Sequence, residues 1–564
     1  MSIIPFSINK KWLWLTGILI VTAFAYFPVF ENNFTNWDDN IFVTENKLIH
    51  SFSLNNLIRW FTKPFVGQYQ PFILLSFALD YSIDGLNPFV FHTTNLILHL
   101  INTFLVFRFL DLLFKNPFIA LLSSFLFGIH TLHVESVAWI TERKNVLYTL
   151  FFLSSLIAYL FYLHKKKSSY YFLSLFFFIL SLMSKAAAVT LPLALILVDY
   201  IYKRHIFGKG ILLEKIPFFV LSIILGLATI YAHHQYGALA NSTGYPFYIR
   251  ILVTGKAIIF YITKTLIPLN LSAYYPMPQN LSEHLTPLIL LFLLSYLVLF
   301  TAIILSLYKK LNVVFFGLVF FLINIFLFLI PAGVPVYATD RYAYIPSIGL
   351  FVIISYGIYH LFKKYPKIKT AGLVFISLYI LLLSVLTFQQ TKVWNNSLTL
   401  WDNVINITGK TYFPLLKRGI AYREEQNYKA ALSDLNESIR LNHNNYYAYE
   451  NRGFIYLVQK KYNKAIDDFR SSLEFNPESS YAYCSLGFAF LHLDNYKEAM
   501  ENLNKAIEIY PGYADAYKNR GEVYICMENY EEACNDLKQA LSLGLAKSDT
   551  EEVKTLVKEY CGGE

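Results

Sequence analysis

The sequence predicts an all-α protein, a polytopic helical membrane domain followed by an α-solenoid of short repeats. Three observations carry that prediction. Hydrophobic residues make up 55% of the 564 and charged residues only 15%, which is too apolar for an ordinary soluble domain. Apolar runs near the ~20 residues that a bilayer requires recur from Trp12 to about Gln389. After Thr411 charge becomes dense, and one pattern returns every 34 residues.

The apolar runs fall at 12–30, 91–113, 117–132, 145–163, 169–184, 186–202, 215–235, 286–308, 312–331, 344–361 and 369–389, about eleven spans. Lys10 and Lys11 precede the first, as in a signal peptide, but that run continues to Phe30 without a small-residue cleavage site and reads as a membrane helix. Basic clusters between the runs (Lys115, Lys165–Lys167, Lys203–Arg204, Lys309–Lys310, Lys363–Lys369) all face the cytoplasm under the positive-inside rule. The net charge of +9 is spread over these loops, so it reports topology and not a nucleic-acid partner. The stretch 251–268 is apolar but carries Lys256 and Lys264, and counting it as a span would put Lys309–Lys310 on the wrong side; it reads as interfacial or re-entrant. With that count, Trp37-Asp38-Asp39, the 133–143 stretch, Lys185, Asp340-Arg341 and the C-terminal repeats all lie on the non-cytoplasmic face.

In the C-terminal region Gly419, Gly453, Gly487 and Gly521 are spaced by 34, as are Tyr428, Tyr462, Tyr496 and Tyr530, and Ala431, Ala465, Ala499 and Ala533. Thirty-four is the period of tetratricopeptide (TPR) repeats, each a pair of antiparallel helices. The predicted organisation is a membrane domain over 1–390, a linker over 391–411, four repeats over 412–544 and a capping helix and tail over 545–564. All four cysteines, Cys484, Cys526, Cys534 and Cys561, lie in the repeats or tail, without C-x-x-C or zinc-finger spacing. Neither a metal site nor a disulfide is inferred from them.

The residues able to carry chemistry gather on the outer face. Asp38 and Asp39, adjacent in the loop after the first span, could activate a hydroxyl as general base or hold a divalent cation; such pairs also build turns and helix caps. His133 and Glu135 are polar groups at a bilayer boundary, and Arg143 and Lys144 could pair with a phosphate or simply anchor the interface. Lys185, in a break between two apolar runs, could meet a ligand or snorkel. Asp340-Arg341 could pair locally or present Arg341 to a phosphate. The aromatic Tyr274-Tyr275-Pro276 and Trp394 read as interface belts, and His233-His234 lacks a third metal ligand.

The order of these motifs carries a resemblance. A first-loop Asp-Asp is followed by His92-x-x-Asn95-x-x-x-His99, by His133-Val134-Glu135-Ser136-Val137-Ala138-Trp139-Ile140-x-x-Arg143-Lys144, by Ser184-Lys185, by Asp340-Arg341-Tyr342 and by the repeats. The chain thereby resembles the transmembrane-and-TPR protein O-mannosyltransferase family, a branch similar to the GT-C glycosyltransferases. The resemblance implies transfer of a mannose-like hexose from a polyprenyl-phosphate carrier to Ser or Thr hydroxyls of a protein acceptor. It assigns Asp38 or Asp39 as the base, Arg143, Lys144, Lys185 and Arg341 as binders of the donor phosphate, and His133, Glu135 and Asp340 as supporting residues. Thr131 and Ala186 depart from the family pattern, where proline is usual. No cofactor is implied beyond the lipid-linked sugar, which is a substrate, and a divalent-metal requirement stays open. The repeats would engage the acceptor or a partner. The alternative is a non-catalytic anchor for repeats that scaffold envelope or secretion assemblies; a transporter fits less well, because the polar groups gather at one face instead of the midplane. Low cysteine and Lys/Ile/Asn/Phe-rich usage point to a prokaryotic plasma or inner membrane.

Overall fold

The structure is a computed structural model that describes residues 8–205, 208–235, 246–277, 281–329 and 336–562. The ends of the span expected at 312–331 and of the tail expected at 545–564 lie outside the described residues. The chain divides into two compact units, Met1–Thr408 and Gly409–Glu564.

The first unit runs through α1 (Ile8–Ala25), α2 (Leu54–Thr62), α3 (Pro71–Asp84), α4 (Pro88–Phe114), α5 (Pro117–Ile129), α6 (Val134–Ala138), α7 (Arg143–Lys165), α8 (Ser168–Leu182), α9 (Leu191–Ile201), α10 (Lys209–Gln235), α11 (Phe247–Leu266), α12 (Leu281–Tyr308), α13 (Asn312–Leu329), α14 (Ser347–Lys364), α15 (Lys369–Val393) and α16 (Ser397–Thr408). Local chemistry sets many of the ends. Asn87 and Asn116 cap α4 and α5 with their side chains, each followed by a proline at the first helical position, where a missing N–H costs nothing. Lys115 closes α4 in the left-handed conformation at φ 51°.

Among the described residues, six helices are long and apolar enough to cross a membrane, or seven if the bent pair α5 and α6 is one span. They include α4, α7, α10, α12, α13 and α15. Of the eleven expected spans, α8 with 15 residues and α9 with 11 are shorter than a straight crossing needs, because the chain breaks at Lys185 into a 3₁₀ turn. Where α13 meets α14, a β-carbon on Gly317 would press on the carbonyl of Gly349, so the two glycines permit a close helix crossing.

The stretch expected to be interfacial or re-entrant is the single helix α11. Its last residue, Leu266, accepts a hydrogen bond from Tyr379 of α15, while Leu271 in the following loop accepts one from Gln390. Between residues 379 and 390 α15 rises about 16 Å, so the chain climbs α15 steeply just after α11 ends. The loop continues into β1 (Tyr275–Pro276), which pairs antiparallel with β2 (Val336–Ala338) immediately before Asp340.

The expected linker needs correction. Residues 397–408 form α16, in which Leu400, Trp401 and Val404 are fully buried, and Trp401 stacks on Trp37 at 4.8 Å and donates to Asn36 at 2.7 Å. Apolar burial makes it part of the membrane unit.

The second unit pairs α17 (Tyr412–Glu424) with α18 (Tyr428–Leu441), α19 (Tyr446–Val458) with α20 (Tyr462–Phe475), α21 (Ser480–Leu491) with α22 (Tyr496–Ile509) and α23 (Ala514–Cys526) with α24 (Tyr530–Leu543), followed by α25 (Lys547–Tyr560). The repeated glycines abut Leu435, Phe469, Leu503 and Leu537 of the partner helices. Three repeats add an Arg–Asp bridge between the two helices, Arg418–Asp434, Arg452–Asp468 and Arg520–Asp536; the third has Leu486 and Asn502 at those positions. A disulfide joins Cys534 of α24 to Cys561 after α25, a bond that cysteine spacing alone did not announce.

Candidate active site

The structure separates the acidic pair. Asp39 is buried, and each of its carboxylate oxygens accepts two hydrogen bonds: Oδ1 from the amide (3.0 Å) and hydroxyl (2.6 Å) of Thr141, Oδ2 from the amide (2.9 Å) and hydroxyl (3.0 Å) of Thr35. Burial raises its pKa against the pull of those four donors. Asp39 is therefore a brace that fastens the first loop to the segment ahead of α7. Asp38 keeps a partly exposed side chain, and its carbonyl accepts from Ile41 and Phe42 at 3.1 Å.

Two residues beyond Ile140, the same segment carries a charge hub that motif reading passed over. Glu142, 1% exposed, faces Lys144 at 3.3 Å, Lys185 at 3.5 Å and Arg341 at 3.5 Å. Arg341 also bridges Glu135 at 2.6 Å, and its amide donates to the other Glu135 oxygen at 2.7 Å. Four residues from distant parts of the chain thus converge: α6 supplies Glu135, the start of α7 supplies Lys144, the α8–α9 break supplies Lys185, and the turn after β2 supplies Arg341. Burial and the nearby Glu135 push the Asp340 carboxyl well above the usual range, while Tyr275 donates to it at 3.0 Å. Three cations stand against two carboxylates. Burial also pulls the Lys185 pKa down to about 8, opposed by Glu142.

Aromatic rings wall the hub. The Arg341 guanidinium lies 5.3 Å and the Lys144 ammonium 5.7 Å from the Trp139 ring. Trp37, next to Asp38, meets the same ring edge-on at 5.8 Å, which joins the acidic loop to the cations. Among the described residues the buried Trp139 Nε1 has no hydrogen-bond partner.

Two more expected site residues turn out to be framework. Arg143, assigned to the donor phosphate, is 0% exposed and pairs with Asp80. It also donates to Asn95 Oδ1 at 2.8 Å, to the Phe91 carbonyl at 2.7 Å and to the Ser76 carbonyl at 3.3 Å. With the rings of Phe77 and Phe91 beside it, it ties α3 and α4 to α7 and offers a phosphate nothing. His133, expected to orient donor or base, spends both ring nitrogens on the Phe127 carbonyl (2.7 Å) and Ser347 (2.9 Å). The His92-Asn95-His99 face of α4 is likewise internal. Asn95 donates to the carbonyls of Val137 and Trp139, and His99 meets Tyr344 and the Gly128 carbonyl. Among the described residues no three His, Cys, Asp or Glu side chains gather in a way that could hold a metal ion.

Comparison with known proteins bears on both units. A tetratricopeptide repeat model matches residues 446–479 and 480–513, and a second matches 502–535. The repeats are tetratricopeptide repeats. Human protein O-mannosyl-transferase TMTC1 is 36% identical over 115 residues, covering 18% of this chain and 13% of that protein. The Caenorhabditis elegans protein O-mannosyl-transferase F38B6.6 is 25% identical over 432 residues, covering 70% of this chain and 59% of that protein. The chain therefore resembles protein O-mannosyl-transferases along most of its length, while spanning 10% to 13% of the human and mouse TMTC1 proteins in the matched segments. A crystal structure of MamA aligns with 26% of this chain and 85% of its own at 25% identity, with a TM-score of 0.24, too low to carry an argument.

Proposed function

We propose that the chain is a membrane glycosyltransferase that moves a mannose-like hexose from a polyprenyl-phosphate carrier to Ser or Thr hydroxyls of a protein acceptor on the non-cytoplasmic face. The observation that carries this reading is the convergence of Lys144, Lys185 and Arg341 on Glu142, joined through Trp139 and Thr141 to the loop of Asp38. The three cations of the hub suit the negative charge of a phosphodiester donor. As the bond from the sugar to phosphate breaks, the leaving phosphate takes a second charge, and the cations stabilise it more than they did the donor. Asp38 accepts the proton of the acceptor hydroxyl as its oxygen attacks the anomeric carbon. Asp39 acts by holding that loop in place, and Glu142 by holding the cations apart. The likeness to protein O-mannosyl-transferases supports the sugar and acceptor classes.

Asp38→Asn tests the reading directly. In membranes supplied with a lipid-linked mannose and a Ser/Thr-bearing protein acceptor, the variant is expected to fold normally and to lose about 10²- to 10⁴-fold in transfer. Unimpaired transfer would remove the proposed base and favour the scaffold alternative. For sidedness, the Cys534–Cys561 disulfide supports an oxidising compartment around the repeats, independently of any count of spans. Protease digestion of the repeats in intact cells is the check; protection would reverse the assignment.

A further inference from the structure

The end of the repeat unit carries a second site. The end of α21 and its following turn, together with α23 and α25, line an open cleft of about 350 Å³. Its apolar wall comes from Leu491, Ile525 and Leu556, and Asp494 and Glu522 bring carboxylates to it. Glu522 is poorly neutralised for a side chain only 21% exposed: Lys518 Nζ stands 3.9 Å away and is held closer by Glu552 at 2.5 Å and Asp549 at 3.7 Å. Burying a carboxylate without a firm cation is costly, and desolvation accordingly lifts the Glu522 pKa to about 7. Asp494 accepts from Tyr496 at 3.0 Å and is otherwise open to solvent.

The wall is also secured. Tyr560, another lining residue, stacks on Tyr530 of α24 at 5.7 Å, and the next residue, Cys561, is bonded to Cys534 of the same helix. α25 extends the register of the array, since Lys518 and Glu552 meet at a separation of 34 residues. The groove therefore continues past the fourth repeat onto a stapled helix.

We propose that this groove binds an extended protein segment through an arginine or lysine side chain, its aliphatic stem against Leu491, Ile525 and Leu556 and its cationic head between Asp494 and Glu522. A long basic side chain suits both halves of the cavity, apolar along its stem and charged at its tip. An acidic segment meets like charge and is rejected. The proposal deepens the role of the repeats as an acceptor-binding arm, and it rests on that role only in calling the segment an acceptor; binding does not require transfer.

The test is equilibrium binding to the full chain in nanodiscs of uncharged lipid, with short fluorescent peptides alike except for a central Arg, Gln or Glu. The Arg peptide is expected to bind about tenfold tighter than the Gln peptide, and the Glu peptide weakest. The Asp494→Asn, Glu522→Gln double variant should bring the Arg and Gln peptides to equal affinity, with an unchanged melting profile as the folding control. Should the double variant unfold, Asp494→Asn alone, at the exposed rim, is expected to narrow the Arg preference. Equal affinity for the Arg and Gln peptides in the unaltered chain, or full preference surviving in a folded variant, overturns the proposal. A transfer assay run with the same peptide sequences carrying a Ser separates the two readings: Arg-selective binding without any transfer leaves the groove standing and the transferase reading fallen.

Discussion

Glu142 and Arg143 are neighbours in the chain and belong to opposite kinds of charge set. Arg143 sits in a closed one: Asp80 neutralises it, Asn95 and the carbonyls of Phe91 and Ser76 take its N–H groups, and two phenyl rings pack against it. Glu142 sits in an open one, where three cations meet two carboxylates in direct ion pairs. Successive residues at a helix start point about 100° apart, so one meets Asp80 inside the bundle and the other Lys185 and Arg341. A charge whose partners are complete builds the framework, whereas a set in which cations outnumber the carboxylates they touch is where the proposed donor phosphate would bind.

The sharpest way to break this contrast is to remove Arg143. Arg143→Ala leaves Asp80, 3% exposed, buried without its cation, at a cost of about 3–5 kcal/mol. The expected outcome is loss of monodisperse folded protein on detergent extraction. A well-folded variant with impaired donor binding would instead return Arg143 to the phosphate site. The hub should behave in the opposite way. Lys144→Gln leaves two cations for two carboxylates, so the protein should melt with the unaltered chain while transfer falls about 10²-fold. Instability without a specific loss of transfer would mean that the hub, too, is framework.

The sequence made the helical class and the repeat unit legible because both are periodic, and it brought Lys144, Lys185 and Arg341 forward as phosphate binders that the structure then gathers. It could not divide Asp38 from Asp39. That division depends on Thr141, 102 residues away, and adjacent carboxylates look alike until their donors are known. Arg143 and Lys144 were equally inseparable, since the partner that closes the first is Asp80 on α3. Glu142 fell on an unassigned position of the motif that runs from His133 to Lys144. The linker hid a helix because α16 owes its order to Trp401 packing on Trp37, a contact between residues far apart in the chain. Cys534 and Cys561 are 27 residues apart, a spacing that means nothing until α25 folds back on α24.

The smallest expected effect is also the most diagnostic of an open charge set. Lys185 faces Glu142 and Asn145, has Lys144 and Arg341 as charged neighbours, and lies over the rings of Tyr148, Phe328 and Tyr342. Burial lowers its pKa to about 8, below the ~10.4 of an exposed lysine. Between those values the unfolded chain holds more protons than the folded one, so Lys185 makes the protein more stable as pH rises through that window. Donor binding should move the other way, because it needs the ammonium that is being lost. With a bound phosphate holding the proton, donor affinity should fall about tenfold from pH 7 to pH 9. Lys185→Arg, whose guanidinium stays charged throughout, should flatten that fall and leave binding at pH 7 nearly unchanged. Lipid-donor titrations at the two pH values, set beside melting curves at the same pH values, read both signs at once. Affinity and stability rising together, or an unaltered pH dependence in Lys185→Arg, would place Lys185 outside the donor site.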